Sequence, residues 1–336
     1  MRLLTFDHIR ELMRQYGLQA FLKALTERLA SDLSRWDEFN KSERHATHYE
    51  HGVLELMPCS DLTHYSFKYV NGHPGNVVKG LPSILSVGVL VEVDTGMPVL
   101  FTEMGILTAL RTAAVTALGA RYLARSNSSR VGIIGCGAQS EFQLLALDNE
   151  LSVQQVRYVD IDQNSMTKFS KNLAAQGWSM YQAQSINDIL IDVDVLVTAT
   201  AARKKVILFQ ADQIPSGTHI HALGGDCPGK TELPPDLIEK ATLVVEYLPQ
   251  TRHEGEIQNL KAELKSIELH QLVKAERQGR TSEDEITLLD AVGFALEDFS
   301  ALMLLNELAE AYDIGESIRM LATPPDPKDL YGFLVN

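Results

Sequence analysis

The sequence predicts an α/β fold in which a doubly wound parallel sheet is joined to a second domain of the α+β class. Short apolar strands alternate with helix-length segments from Val131 onwards, which is typical of a parallel, doubly wound sheet. Before that point, helical periodicity gives way to β-rich runs separated by turns. The 336 residues also exceed the length at which one core usually stops growing. Two domains are therefore expected.

The N-terminal region predicts one or two helices followed by an antiparallel sheet. Apolar residues recur at helical spacing over 9–29, with Gly17 as a break. Asp94-Thr95-Gly96 is typical of a hairpin between two strands. The β-rich runs that would form the sheet are 53–56, 65–70, 84–93 and 98–102.

The remainder of the chain predicts the parallel sheet and a helical tail. A helix over 103–124 would lead into strands at 131–134, 156–159, 193–199, 219–223 and 243–246, with helices at 138–147 and 165–175. Ser282-x-x-Glu285 matches a capping box, so a helix is expected over 286–289. An amphipathic helix over 294–312 would return to the first domain. The expected domains are 1–115, completed by 305–336, and 116–304.

Composition and charge exclude several classes of protein. Apolar residues make up 45% and charged residues 22%, as in an ordinary globular protein, and no apolar run reaches the ~18 residues of a membrane span. A net charge of −14 would repel phosphate backbones, so neither a nucleic-acid nor a membrane partner is expected. Cys59, Cys136 and Cys227 lack the spacing of a disulfide framework or a zinc site. With no secretory pattern over 1–10, a cytoplasmic protein with reduced thiols and no metal is expected.

A glycine pattern follows the strand predicted at 131–134, and it reads Gly135-Cys136-Gly137-Ala138-Gln139-Ser140. In a Rossmann-type sheet such glycines let the strand turn sharply and let backbone N–H groups approach a pyrophosphate. Asp160 ends the next strand, where an acidic side chain binds the adenine ribose. An acidic residue would repel a 2′-phosphate, so the pattern favours NAD over NADP. The alternative for Asp160 is a surface carboxylate at a strand end.

A second segment places a carboxylate and an ammonium four residues apart, at Asp226 and Lys230. The segment is Ala222-Leu223-Gly224-Gly225-Asp226-Cys227-Pro228-Gly229-Lys230-Thr231-Glu232-Leu233. It follows an apolar strand, where an open α/β sheet binds its ligand. From the residues alone, Asp226 is as well explained by a turn aspartate as by a catalytic group.

This segment, together with 67–74 and the run 102–114, resembles the ornithine cyclodeaminase/mu-crystallin family over nearly the whole chain. The resemblance implies a Rossmann-type NAD-binding domain and an α+β domain for substrate binding and dimerisation. It also implies conversion of L-ornithine to L-proline and ammonia, with NAD reduced and reoxidised in each turnover. A homodimer is expected.

The resemblance also implies site residues, with Asp226 as the catalytic acid and base. The residues expected to bind substrate are Arg44, Glu55, Met57, Lys68, Arg111 and Val292. The residues expected to bind the cofactor are Ser83, Arg111, Gly135, Gly137, Ala138, Gln139, Asp160, Thr200, Leu223, Gly224, Gly225, Lys230 and Ala291. Ser83 and Ala291 depart from the family, which often has Thr and Ser there, so any contact at Ala291 must come from the backbone.

Several alternatives stay open at this stage. Glu55 alternates with two leucines and fits a solvent-facing position equally well. Cys227 lacks a neighbouring histidine base and is interpreted as structural, and His219-x-His221 as ordinary strand histidines. Rival functions are a cyclic imine reductase, a lysine cyclodeaminase and a non-enzymatic, mu-crystallin-like dinucleotide-binding protein. Asp226 and Lys230 argue against the last.

Overall fold

The computed structural model describes residues 1–202, 204–260 and 264–335. Its N-terminal part combines two helices, a mixed sheet and a long connecting helix. Gly17, with φ of +94°, separates the first two helices as predicted. The elements are β1 (Arg2–Leu4), α1 (Phe6–Tyr16), α2 (Leu18–Ser34), β2 (Asn40–Lys41), β3 (His45–Tyr49), β4 (Gly52–Ser60), β5 (His64–Gly72), β6 (Ser86–Glu92), β7 (Pro98–Glu103) and α3 (Gly105–Leu123).

The remaining elements belong to the parallel sheet and the C-terminal tail. They are β8 (Arg130–Ile134), α4 (Ser140–Glu150), β9 (Gln155–Val159), α5 (Gln163–Leu173), β10 (Ser179–Gln182), α6 (Ile186–Leu190), β11 (Val195–Thr198), β12 (His219–Ala222), α7 (Pro235–Lys240), β13 (Thr242–Val245), α8 (Leu248–Glu254), β14 (Ile267–Glu268), α9 (Leu269–Val273), β15 (Thr287–Asp290), α10 (Ala295–Ala311), β16 (Glu316–Ser317) and α11 (Leu330–Val335).

Two sheets organise the fold. The first has the order β16-β1-β7-β6-β5-β4-β2, with β3 also paired to β4, and its central strands are antiparallel as predicted. Strand β1 was not predicted and pairs parallel to β7. The second sheet is parallel throughout, in the order β10-β9-β8-β11-β12-β15-β13-β14. The predicted α/β class with a doubly wound sheet is confirmed.

The helix expected over 286–289 is wrong, because Thr287–Asp290 forms the buried strand β15 between β12 and β13. The capping pattern exists locally, since Glu285 accepts a hydrogen bond from the Thr281 backbone N–H at 2.6 Å. Glu285 also contacts the Thr242 hydroxyl at the start of β13, so the pattern anchors a loop. A four-residue apolar run contains no periodicity that separates a buried strand from a helix.

Helix α10 was expected to be amphipathic, and this expectation is wrong. Its residues are buried on most sides, including the charged Glu297 and Asp298. The helix packs against β4, β5, β6, α2 and α3. It runs unbroken through the 304/305 boundary, just as α3 crosses the 115/116 boundary and contacts both α2 and α4. The two domains therefore share helices, and the division at those residues stays a prediction.

Candidate functional site

The glycine loop after β8 has the shape that a dinucleotide requires. Gly135 has φ of +101°, and a Cβ there would lie 2.5 Å from the Ala199 carbonyl oxygen. A Cβ on Gly137 would meet no described atom within 4 Å, so open space lies in front of the loop. Helix α4 begins directly after it, at Ser140, whose hydroxyl donates to the Gly137 carbonyl at 2.9 Å. The loop is therefore tight on one side and open on the other.

Asp160 lies beside this loop, at the end of β9. Its carboxylate accepts hydrogen bonds from the Cys136 N–H at 2.6 Å and the Asp162 N–H at 2.9 Å. The acidic group is thus held beside the glycine turn by backbone N–H groups on both flanks. Gly137 and Ala138 are exposed and Gln139 is half-buried. The chain's own residues fit the pyrophosphate and ribose of a dinucleotide.

The neighbouring strand ends are held by two buried glutamates that sequence reasoning missed. Glu232 accepts a hydrogen bond from the Thr200 N–H at 3.0 Å and contacts its hydroxyl. A Cβ on Gly224 would lie 2.0 Å from the Glu232 carboxyl carbon. A Cβ on Gly225 would lie 2.4 Å from Glu256 Oε1. These two glycines are required because carboxyl groups pack directly behind their backbone.

Burial determines the protonation of these glutamates. It raises the pKa of Glu232 and raises that of Glu256 to about 7. The Glu256 carboxyl accepts backbone N–H groups from Glu232 at 2.9 Å and Leu233 at 2.9 Å. The loop after β12 is consequently fixed by two carboxyl groups whose pKa values are raised by burial.

Asp226 and Lys230 form an ion pair at 2.9 Å on that loop. The Asp226 side chain is 44% exposed, whereas that of Lys230 is 14% exposed. Burial opposes the charge of Lys230, but Asp226, together with Glu232 and Cys227, raises the lysine pKa overall. The loop therefore presents an accessible carboxylate backed by a more enclosed ammonium.

Lys68 and Arg111 are brought together by one carboxylate, Asp298 of α10. Lys68 Nζ lies 2.8 Å from Asp298 Oδ2, and Arg111 Nε lies 3.2 Å from Asp298 Oδ1. Arg111 also pairs with Glu297 at 2.6 Å. All four side chains are buried. Burial, together with the charge of nearby Arg111, lowers the pKa of Lys68 to about 8 despite the attraction of Asp298.

The turn after β15 seats the Arg111 guanidinium. Gly293 has φ of +82°, and a Cβ there would lie 2.6 Å from Arg111 Nη1. Glu246, which follows β13, accepts the N–H groups of Val292 at 2.9 Å and Gly293 at 2.7 Å. Glu246 also shares a hydrogen bond with Glu297, and burial followed by the charge of Glu246 raises the Glu297 pKa well above its ordinary value. Burial and the neighbouring carboxyl therefore favour the protonated form of Glu297.

Arg44 reaches the same turn from the segment between β2 and β3. Its Nη2 donates to the Val292 carbonyl at 2.6 Å and the Gly293 carbonyl at 2.8 Å. Its Nη1 lies 3.2 Å from Glu55, and its Nε lies 3.0 Å from Glu254. Each nitrogen of the guanidinium thus lies within 3.2 Å of an oxygen of the protein, although Nε forms no hydrogen bond. The role of Arg44 in holding a substrate carboxylate stays a prediction.

The other predicted substrate residues line the inner face of the first sheet. Glu55 and Met57 of β4 are both buried, and Met57 pairs in register with Lys68 of β5. The open alternative for Glu55 is resolved, since Leu56 points outward while Glu55 points inward toward Arg44. Val292 is likewise buried beside Arg44.

Two predicted cofactor residues make contacts through their backbone. Ala291 donates its N–H to the Ala222 carbonyl at 3.0 Å, which continues the pairing of β15 with β12. The half-buried Ser83 lies in the segment between β5 and β6, and its carbonyl accepts the His73 N–H at 2.8 Å. Leu223 is half-buried at the end of β12. Contacts of these residues with a cofactor stay predictions.

The residues that sequence reasoning set aside have structural partners. His219 bonds to the Thr287 hydroxyl at 3.0 Å, and His221 to the Thr116 hydroxyl at 2.8 Å. Burial raises the pKa of the Cys227 thiol to about 11, which disfavours a nucleophilic thiolate. The described residues contain no group of three side chains suited to a metal ion.

Six buried acidic residues of the site were missed by sequence reasoning. They flank the predicted residues and pair with them over long sequence separations. The sequence carried a signal for Glu246, Glu297 and Asp298, which are acidic residues inside apolar runs. The six are Glu232, Glu246, Glu254, Glu256, Glu297 and Asp298.

Comparisons with known proteins cover nearly the whole chain. The model of the ornithine cyclodeaminase/mu-crystallin family matches residues 7–312. A protein named ornithine cyclodeaminase from Brucella suis biovar 1 (strain 1330) is 43% identical over 331 residues, which are 98% of this chain and 92% of that protein. An ornithine cyclodeaminase from Agrobacterium tumefaciens (strain Ach5) is 42% identical over 332 residues, with 99% and 93% covered.

Solved structures share the architecture. A lysine cyclodeaminase, described by its recognition of L-lysine, L-ornithine and L-2,4-diamino butyric acid, superposes with a TM-score of 0.93 at 30% identity, covering 99% of both chains. An archaeal alanine dehydrogenase, described as a dimer with bound NAD, superposes with a TM-score of 0.88 at 31% identity, covering 96% of this chain and 99% of that one. None of the described helices is long and apolar enough to cross a membrane.

Proposed function

The chain belongs to the ornithine cyclodeaminase/mu-crystallin family, and from this premise we propose that it is an NAD-dependent ornithine cyclodeaminase that forms L-proline and ammonia from L-ornithine. The observation that carries the proposal is the convergence of Arg44, Lys68 and Arg111 from separate segments around one turn. Cations held this way suit an α-carboxylate, and the carboxylates around them suit amines. A diamino acid carries both kinds of group.

NAD fits the loop after β8, where Gly135, Gly137, Ala138 and Gln139 would hold the pyrophosphate and Asp160 the ribose. Bound NAD would supply a hydride acceptor for the substrate Cα and then a hydride donor for the cyclic imine. The further cofactor contacts proposed are Ser83, Arg111, Thr200, Leu223, Gly224, Gly225, Lys230 and Ala291.

Asp226 is the proposed proton carrier. Its exposed carboxylate accepts a proton from the distal ammonium, and the resulting neutral amine attacks the oxidised Cα. This attack closes the five-membered ring. The same carboxyl then passes a proton from the ring nitrogen to the α-nitrogen, which leaves as ammonia as the cyclic imine forms. Lys230, 2.9 Å away, holds the carboxylate in place during both transfers.

The substrate's α-carboxylate is assigned to the cationic cluster. Lys68 is a compact point charge, whereas Arg111 offers a planar fork, and both are oriented by Asp298. Met57 and Val292 supply apolar walls that exclude water from the reacting carbon. Exclusion of water protects the imine from hydrolysis.

Product analysis tests this function. Protein with catalytic NAD⁺, L-ornithine carrying ¹⁵N at the α position and no other electron acceptor should form proline and ¹⁵N-ammonia in equal amounts. Asp226→Asn should abolish turnover and retain NAD binding. Pipecolate from lysine, with ornithine untouched, would favour a lysine cyclodeaminase. Consumption of NADH by a cyclic imine alone would favour a reductase, and NAD binding without any turnover a binding protein.

We also propose a homodimer formed through the first sheet. Leu56, Tyr69 and Val87 are partly exposed and are register partners across three strands, which makes a continuous apolar row. Exposed rows of this kind mark interaction surfaces. Light scattering should give twice the chain mass, and Tyr69→Lys should yield monomers. Tyr181→Lys, on an exposed tyrosine of β10, is the matched control and should leave the dimer intact.

A cytoplasmic location completes the proposal. Cys59, Cys136 and Cys227 are all free thiols, as expected of a reducing compartment. Fractionation of the source cells tests the location.

A further inference from the structure

We infer that Glu254 is a substrate-recognition residue whose carboxylate binds the distal ammonium of the diamino acid. Glu254 ends α8 and belongs to none of the motifs that carry the family resemblance. The inference rests on the proposed function and deepens it, because it names the group that distinguishes a diamino acid from an ordinary amino acid.

Glu254 lies among charged groups on the side of the site where Arg44 and Asp226 are found. Arg44 Nε lies 3.0 Å from Glu254 and Arg44 Nη1 lies 3.2 Å from Glu55, so the guanidinium stands between two carboxylates. Asp226 is close enough for its charge to act on both Arg44 and Glu254. Three carboxylates from separate segments therefore surround one side of the proposed substrate site.

Glu254 also has a carboxylate oxygen that accepts no hydrogen bond from the described residues. Its side chain is only 9% exposed, yet among the described residues its Oε2 receives no hydrogen bond. The neighbouring Arg44 Nε is equally without a hydrogen bond, so the 3.0 Å approach is an ion pair of poor alignment. Buried carboxylate oxygens are costly to leave unsatisfied, and an ammonium donor would satisfy this one.

Charge supports a cationic occupant. Burial raises the pKa of Glu254 to about 7, Arg44 opposes the rise, and Glu55, Asp226 and Glu43 add to it. An incoming ammonium favours the ionised form, as any opposite charge does. Binding of the diamino acid should therefore release a proton from Glu254 at neutral pH. The Cys227 thiol also interacts electrostatically with this carboxyl, and its pKa of about 11 keeps it protonated at neutral pH.

Comparison of two ligands that differ only in the distal amine tests the inference. L-Norvaline has the carbon skeleton and α-carboxylate of ornithine but no second amine. In Glu254→Gln holoenzyme, KM for ornithine should rise roughly tenfold or more, because a charge-assisted hydrogen bond is lost. The Ki of norvaline should change by less than about twofold. Glu43→Gln is the matched control, since it neutralises a nearby but half-exposed carboxylate, and both constants should stay unchanged.

Two results would overturn the inference. Equal weakening of ornithine and norvaline would mean that Glu254 only orients Arg44, and no weakening of either would mean that it does not face the substrate. Should the variant fail to fold, the pH dependence of the wild type provides the test. KM for ornithine should fall between pH 6 and pH 8 while the Ki of norvaline stays constant. Parallel pH profiles for the two ligands would refute the inference. Wild-type protein that forms no proline would instead refute the proposed function, and calorimetry of ornithine against norvaline would still test Glu254.

Discussion

Two glycines of one loop should fail in opposite ways when they are given side chains. Gly135→Ala places a Cβ 2.5 Å from the Ala199 carbonyl oxygen at a φ of +101°, whereas Gly137→Val places its Cβ where no described atom lies within 4 Å. The first substitution should therefore damage the fold. The second should spare the fold and block only the ligand that approaches this backbone.

The magnitudes follow from these contacts. Backbone strain of roughly 1–3 kcal/mol and a further 1–3 kcal/mol for the clash should lower the unfolding free energy of Gly135→Ala by about 2–6 kcal/mol. For Gly137→Val the change should stay within about 0.5 kcal/mol, as at other uncrowded surface positions. Its Kd for NAD should rise about a hundredfold, which corresponds to about 2.7 kcal/mol.

Urea unfolding and NAD titration by calorimetry separate the two effects. Gly75→Ala is the matched control, because its Cβ also meets no described atom within 4 Å but lies outside the loop; its stability and NAD affinity should both match the wild type. Gly137→Val with wild-type NAD affinity would refute the assignment of this loop to the pyrophosphate. Equal loss of stability in the Gly135 and Gly137 variants would refute the steric reasoning.

Three further predictions concern the charged cluster. Lys68→Met should raise KM for ornithine without loss of stability at pH 7, because the pKa of Lys68 in the folded protein, about 8, lies below the ordinary lysine value of 10.5. In urea unfolding, wild-type stability should rise between pH 8 and pH 10.5, and the variant should lack this rise. Gly293→Ala should lose roughly 2–4 kcal/mol in the same assay, since its Cβ would lie 2.6 Å from Arg111. Glu254→Gln should gain up to about 3 kcal/mol of unfolding free energy at pH 8. The reason is that the Glu254 pKa is raised from 4.5 to about 7 in the folded protein, which lowers wild-type stability as the pH rises through that interval. A loss of stability in the variant would contradict this prediction.

The fold was predictable where the pattern is local. Strands of the parallel sheet are short apolar runs that alternate with helices, so β8, β9 and β12 could be predicted from the sequence alone. Strand β15 could not, because its position between β12 and β13 is set by tertiary pairing. Edge strands such as β2 and β16, of two residues each, carry no periodicity at all.

The site residues were likewise predictable only where they belong to a local pattern of fixed spacing. Gly135, Gly137 and Asp160 have fixed spacing, because one turn and the next strand end build the dinucleotide loop. The partner of Lys68 is 230 residues away in sequence, and that of Arg111 is 186 residues away. The spacing of residues in the sequence holds no information about such pairs. The family resemblance therefore identified Lys68 and Arg111 but not the acidic residues that pair with them.

The buried acids explain why these cations can exist in the interior at all. Lys68 and Arg111 would each be costly to bury alone, and the shared Asp298 offsets that cost for both. Apolar residues of similar volume would stabilise the fold at least as well, so stability does not account for the cluster. Charge at the carboxyl edge of the parallel sheet does account for it, since a zwitterion with a second ammonium needs fixed charges of both signs. Glu254 adds to these charges a carboxylate whose Oε2 lies 3.0 Å from Arg44 Nε without forming a hydrogen bond to it.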